Sequence, residues 1–227
     1  SPLALYQPED EAFQCLVNAY IKCTHMTNIK LNLFGIGRES FDSIEYLFAN
    51  ATQFRELDLR FSYPDEVMMT TLSAVTKHVA HLNKLTIGFS AIHVASEFPK
   101  AFFQLWFPEL QEFTLQDGKF QYDQWPLLRG FLEVHSQLKS VNVALSASET
   151  KEAAQLLWSL FPLTLESIHV QTFSTHGDEL PFLEALPDFL GQSCWHSLTI
   201  LLYSSLPSDF TLPPTALWIQ NLNVFQK

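Results

Sequence analysis

The sequence predicts an α/β solenoid in which parallel strands line a concave face and helices cover the convex side. Three observations carry that expectation. A six-residue apolar motif recurs about every 28 residues. Apolar and polar residues alternate inside each copy, whereas helical spacing rules between copies. A strand-helix unit of this size buries its apolar side only by stacking on another.

The motif has the form apolar-x-x-apolar-x-apolar. Its clearest copies are Phe54, Leu57 and Leu59; Leu82, Leu85 and Ile87; Leu110, Phe113 and Leu115; and Leu138, Val141 and Val143, with the middle residues spaced by 28. The same register reaches upstream to Met26, Ile29 and Leu31. Downstream it continues with Leu165, Ile168 and Val170 after 27 residues, Trp195, Leu198 and Ile200 after 30, and Ile219, Leu222 and Val224 after 24. That makes eight strands, each with one buried and one solvated face.

The intervening segments are read as helices. Pro8-Glu9-Asp10-Glu11 opens the first, which carries Phe13, Leu16, Val17, Tyr20 and Ile21 and caps the first strand, so residues 1–25 are an amino-terminal cap. Later helices are marked by Met68, Leu72, Val75 and Val79; by Phe98, Phe102 and Leu105; by Leu128, Phe131 and His135; by Ala153, Leu156, Leu157, Leu160 and Phe161; and by Leu183, Leu186 and Leu190. Pro64-Asp65-Glu66, Ser148-Glu149 and Gly177-Asp178-Glu179 supply helix starts, and Pro108, Pro162 and Pro187 sit near helix ends. The last connection, 206–214, holds three prolines and closes a degenerate final repeat. Residues 26–227 thus read as the solenoid proper, continuous with its cap as one domain. Strands pack about 4.8 Å apart and helices about 8 to 10 Å apart, so the strand side becomes the concave one.

These segments resemble leucine-rich repeats of the longer intracellular kind that pairs each strand with a helix, from Met26 to Phe225. Many such repeats place an Asn three residues after the strand's last apolar position. Here that position holds Phe34, Ser62, Ser90, Gly118, Ser146, Phe173 and Tyr203, and the four small residues are expected to keep the turn tight. The stretch from Phe107 to Leu115 and on from Leu128 to Val141 looks like the repeats that follow the F-box in fungal F-box proteins. That resemblance implies a substrate receptor of a cullin-type ubiquitin ligase, with the adaptor-binding F-box, which is not visible in these residues, removed or lost.

Composition narrows the function classes. Thirteen Lys plus Arg against twenty-four Asp plus Glu give a net charge of −11, a field that repels phosphate backbones and anionic lipid, so neither nucleic acid nor a membrane is expected as a partner. No apolar run approaches the ~20 residues of a membrane span. Three cysteines, Cys15, Cys23 and Cys194, form no disulfide framework and point to a reducing compartment, cytoplasmic or nuclear. Cys15 and Cys23 are placed on one helix, too far apart to bridge. The start at Ser1-Pro2 lacks the charged and apolar regions of a signal peptide and reads as an excised or processed domain.

The expected role is non-catalytic binding of a protein through the concave face and adjoining loops. Outward strand positions run from Asn28, Lys30 and Asn32 on the first strand to Asn221, Asn223 and Phe225 on the last. The contact candidates among them are Asp58, Arg60, Thr86, Thr114, Gln116, Asn142, His169 and Gln171. Phe61, Phe89 and Tyr203 at the strand exits either form a hydrophobic rim or pack between strand and helix. Two rival classes are a structural subunit that continues through the edge strand 222–225, and a GTPase regulator offering Arg38 or Arg60.

No catalytic centre, cofactor or metal site is read. His78 and His81 share a helix face but lack a third ligand. Cys194 and His196 flank Trp195 without a shared geometry for nucleophilic attack, and Gly35-Ile36-Gly37 lacks the third glycine of a dinucleotide loop. His176-Gly177-Asp178 serves a turn, and Asn50-Ala51-Thr52 is a glycosylation signal only on a secreted chain.

Overall fold

The computed structural model describes residues 10–36, 40–89, 100–120, 122–146, 155, 158–162, 164–173, 185, 196–202 and 221–226. The chain divides into two compact α/β units, Ser1–Gly118 and Lys119–Lys227.

The first unit contains α1 (Asp10–Lys22), β1 (Asn28–Asn32), α2 (Phe41–Asn50), β2 (Glu56–Phe61), α3 (Glu66–His78), β3 (Lys84–Phe89), a 3-10 helix at Lys100–Gln104, and most of β4 (Glu112–Phe120). Its strands pair in parallel and in sequence order, with Ile29, Leu57, Leu85 and Phe113 side by side. All four are at most 4% exposed, and so are Leu31, Leu59, Ile87 and Leu115 beside them. Fully burying each such side chain is worth about 1.5–3 kcal/mol, so the inward row is the main source of cohesion here.

Backbone hydrogen bonds repeat with the same period. Thr27 O accepts from Arg55 N at 2.7 Å and Glu56 N at 3.2 Å, Arg55 O from Asn83 N and Lys84 N, and Asn83 O from Gln111 N and Glu112 N. Each strand therefore begins by clamping onto the carbonyl that precedes the strand before it. Turn chemistry follows suit: Gly35 adopts φ 71°, which only glycine takes without strain, and its N–H donates to Ser62 Oγ of the next repeat at 3.2 Å.

Helix α3 shows why these residues form helices. Asp65 caps it by accepting from Val67 N and Met68 N, Glu66 opens it, and Lys77 and His78 occupy its last turn, matching charge to the helix dipole at both ends. Met68, Leu72 and Val75 then fall on one buried face, as their spacing predicts. In α1, Phe13, Val17 and Tyr20 are buried. Cys15 and Cys23 are exposed free thiols, Cys23 lying just past the end of that helix.

The second unit opens with a 3-10 turn at Tyr122–Gln124 leading into α4 (Trp125–Val134), followed by β5 (Ser140–Ser146), β6 (Ser167–Phe173), β7 (Ser197–Leu202) and β8 (Asn221–Gln226). These four strands are again parallel and in sequence order, aligning Val141, Ile168, Leu198 and Leu222. The carbonyl clamp recurs, with Lys139 O accepting from Glu166 N and Ser167 N, and Glu166 O from His196 N and Ser197 N. Trp125, Leu128, Phe131 and Leu132 bury the inner face of α4, and Pro126 lies in its first turn, where a missing N–H costs nothing.

Two expectations are corrected. Of the helix expected from Phe98, Phe102 and Leu105, the described part is a five-residue 3-10 turn at Lys100–Gln104, which ends with Leu105 N–H donating to Phe102 O three residues back at 3.0 Å; Phe102 packs edge-on to Phe103 at 5.4 Å and against Phe113 at 5.9 Å. Gly118 and Ser146 lie inside β4 and β5 rather than in turns. A Cβ on Gly118 would come within 2.9 Å of the Phe89 ring, so its smallness serves packing. The helix starts at 148–149 and 177–179, the apolar residues Leu183, Leu186 and Leu190, and Phe98, Ala153, Leu156, Leu157 and the connection 206–214 lie outside the described residues.

Substituting Leu85→Ala should cost about 2–5 kcal/mol, whereas Lys84→Ala on the opposite face should stay within about 0.5 kcal/mol. Urea unfolding checks this, and equal effects at the two positions would contradict the assignment of faces.

Candidate functional site

The outward strand positions form rows across neighbouring strands. In the first unit these are Asn28, Glu56, Lys84 and Glu112; then Lys30, Asp58, Thr86 and Thr114; then Asn32, Arg60, Gly88 and Gln116. Opposite charges meet across adjacent strands, with Lys30 Nζ 2.9 Å from Asp58 Oδ2 and Lys84 Nζ 2.7 Å from Glu112 Oε2. The Glu112 carboxylate accepting from Lys84 holds that ammonium above the usual lysine range, and the field of Glu56 adds to it.

Arg60 spans three strands. Its Nε donates to Asp58 Oδ1 at 2.8 Å, and its Nη2 donates to Gln116 Oε1, passing over Gly88 of the intervening strand. A Cβ on Gly88 would stand 2.5 Å from Arg60 Nη1 and 2.7 Å from Cδ. The glycine is thus the gap through which the guanidinium reaches. Asp58, Arg60 and Gln116 are brought together, and Thr114 lies half-buried in the row of Lys30, Asp58 and Thr86.

Thr86 is placed differently from its expected role as a surface contact. It is 8% exposed and lies in a recess of about 520 Å³ lined by Tyr20, Met26, Asn28, Lys30, Glu56, Asp58 and Lys84, with Ile29 and Leu57 behind them. The long side chains of the flanking strands rise around it, so only a group entering the recess reaches it.

In the second unit, the rows on β5, β6 and β7 are Ser140, Ser167 and Ser197; Asn142, His169 and Thr199; and Ala144 beside Gln171. None of these eight residues is Asp, Glu, Lys or Arg. Burial pushes the His169 imidazole below its ordinary range, favouring the neutral ring and keeping this face uncharged. The charged rows of the first unit and the uncharged rows of the second follow from the residues themselves once the register assigns them to strands.

Other candidates resolve locally. Phe61 and Phe89 are 1% and 3% exposed with rings 6.5 Å apart, so they pack inside rather than form a rim; Tyr203 lies outside the described residues. His78 Nε2 meets Glu45 Oε1 at 2.7 Å, and His81 Nδ1 meets Glu109 Oε1 at 2.7 Å, so the two imidazoles serve separate carboxylates. The Glu45 carboxyl is held below its usual range by hydrogen bonds from Lys77 and His78. Among the described residues, no three His, Cys, Asp or Glu gather as a metal site. His135 is buried with Nδ1 2.6 Å from Phe131 O, and its burial lowers the imidazole's proton affinity. Asn50 closes α2, its amide donating to Tyr46 O at 2.8 Å. Arg38, Gly37, His176 and the pair Cys194 and Trp195 lie outside the described residues.

Trp106, 60% exposed, and Tyr63, 57% exposed, were not foreseen. Both stand in short connections outside the motif, where period reading has nothing to say. Among the described residues, no helix is long and apolar enough to cross a membrane.

Two outcomes follow from this geometry. Arg60→Ala should lower stability by about 1 kcal/mol, and by much less in a Gly88→Ala background that has already displaced the guanidinium. The coupling is the readout, because replacing a strand glycine by Ala itself gains about 0.5–1 kcal/mol; additive effects would show that Gly88 does not serve Arg60. His135 and His169 both have lowered folded-state affinity for protons, so the unfolded chain binds more protons and stability falls as pH drops below about 6.5. The double variant His135→Gln, His169→Gln should flatten that fall in urea titrations run across the window; an unchanged slope would contradict the assignment.

No family model matches the chain, and no curated protein is similar to it.

Proposed function

We propose that both units are stretches of leucine-rich repeats and that the chain is a non-catalytic recognition domain, binding a protein through its outward strand faces. One observation carries the reading: in the first unit the polar side chains are tied into a fixed lattice, Lys30 to Asp58, Asp58 to Arg60, Arg60 to Gln116, on strands locked by a buried apolar row. A surface already ordered loses little side-chain freedom on binding, which favours affinity.

The lattice also bears on the rivals. Arg60 is committed to Asp58 and Gln116, which leaves it a poor finger for a partner's nucleotide. The resemblance of residues 107–141 to the repeats of F-box proteins supports the narrower reading of a ubiquitin-ligase substrate receptor. An F-box-like helical segment encoded upstream would support it, and a different domain there would remove it.

The test is capture from the native source with the whole chain as bait, comparing wild type with Arg60→Ala, Asn142→Ala and Gln171→Ala on the strand faces and Arg129→Ala on α4. Loss of a specific protein with the strand-face variants alone is the expected result. Capture that survives those changes but fails with Arg129→Ala would place binding on the helices.

A further inference from the structure

The recess at the start of β1, β2 and β3 holds polar groups that the fold itself leaves unused. Tyr20 and Thr86 are each 8% exposed and line it. Neither side-chain hydroxyl has a hydrogen-bond partner among the described residues. Among the described residues neither hydroxyl oxygen is sealed from solvent, so both stay open to a molecule that enters the recess.

The first repeat departs from the others at this spot. Its leading apolar residue, Met26, is 36% exposed, whereas Phe54, Leu82, Leu110, Leu138 and Leu165 at the same motif position are at most 3% exposed. Met26 lines the recess instead of closing the core. Together with the Tyr20 ring it makes an apolar wall, and an unbranched thioether adapts its shape to whatever lies against it.

The charges decide which ligand fits. Both cations in the lining are already in contact with a carboxylate, Lys30 with Asp58 at 2.9 Å and Lys84 with Glu112 at 2.7 Å. Glu56 is the lining charge without such a contact among the described residues; it is exposed and acts on Lys84 only through its field. The lining charge without a contacting partner among the described residues is therefore negative, and that carboxylate only accepts, whereas the Tyr20 and Thr86 hydroxyls and the Asn28 amide can accept or donate. A cation on an apolar stem matches the carboxylate and the wall of Tyr20 and Met26.

We propose that this recess receives an arginine or lysine side chain of the protein partner, its methylenes against Tyr20 and Met26 and its cationic head at Glu56 and the hydroxyls of Tyr20 and Thr86. The volume of about 520 Å³ admits such a side chain with its flanking backbone. The net charge of −11 draws basic partners toward the surface before contact. The inference rests on the recognition role above and names the chemistry of the partner.

The experiment titrates the isotope-labelled full chain with N-acetyl-arginine amide and follows backbone amides by NMR. Saturable shifts at residues 26–30 and 56–58 are expected. The neutral isostere N-acetyl-citrulline amide should bind about tenfold more weakly, Glu56→Gln should weaken the arginine probe by a similar factor, and N-acetyl-glutamate amide should not bind. Glu56 is exposed, so its substitution leaves the fold intact, and Thr86→Val tests the buried hydroxyl at nearly constant size. Equal binding of arginine and citrulline probes, binding of the glutamate probe, indifference to Glu56→Gln, or shifts confined elsewhere would each overturn the proposal. If capture of the native partner depends on Arg60 or Gln171 while the probes fail, the recognition role stands and this inference falls. If the probes bind while capture ignores the strand faces, the reverse holds.

Discussion

Everything in each unit depends on strands held side by side at a constant offset, because that offset keeps apolar residues together on one side and polar residues together on the other. A slip of one residue would exchange the two faces, exposing Leu57 and Leu85 and burying Asp58 and Lys84. The carbonyl clamp before each strand opposes that slip from the backbone side. Thr27, Arg55 and Asn83 each accept two N–H groups from the next repeat, as do Lys139 and Glu166. The buried apolar row opposes it from the side-chain side.

A fixed register turns a list of polar residues into a pattern of neighbours. Lys30 meets Asp58 and Lys84 meets Glu112 because each pair lies one strand apart at equal height. Isolated exposed pairs of this kind add little stability. Their value is geometric: they hold long side chains in place, and so define what remains available. In the recess of the first unit, the Glu56 carboxylate and the Tyr20 and Thr86 hydroxyls stand beside a partly apolar wall. The second unit presents a different surface, with serines in one row and an amide, a hydroxyl and an imidazole whose burial favours the neutral form in the next.

Glycine has a distinct use at two strand positions. Gly88 opens a path for Arg60 on the outward face, and Gly118 makes room for the Phe89 ring. Strand glycines ordinarily weaken a sheet, so their presence points to a close approach by something else. Here that something is a side chain of a neighbouring repeat. The tie between Arg60 and Gln116 on one face and the packing of Phe89 beside Phe61 on the other both depend on a missing Cβ.

The sequence by itself determined the period, the places of the eight strands and, where side chains are described, the alternation of buried and outward motif positions, because burial of an apolar stripe leaves a periodic trace in composition. It also placed Asp58, Arg60 and Gln116 on one face, since outward positions follow from alternation alone. Only the tertiary structure decided which of those side chains meet, and that Thr86 lines a recess together with Met26 and Tyr20. Such facts depend on distances between repeats and on the gap left by Gly88, and a pattern read along one chain contains no distances across it. The 3-10 turn at Lys100–Gln104 was hidden for a related reason: a spacing of three to four residues between apolar positions fits a short 3-10 turn as well as an α-helix.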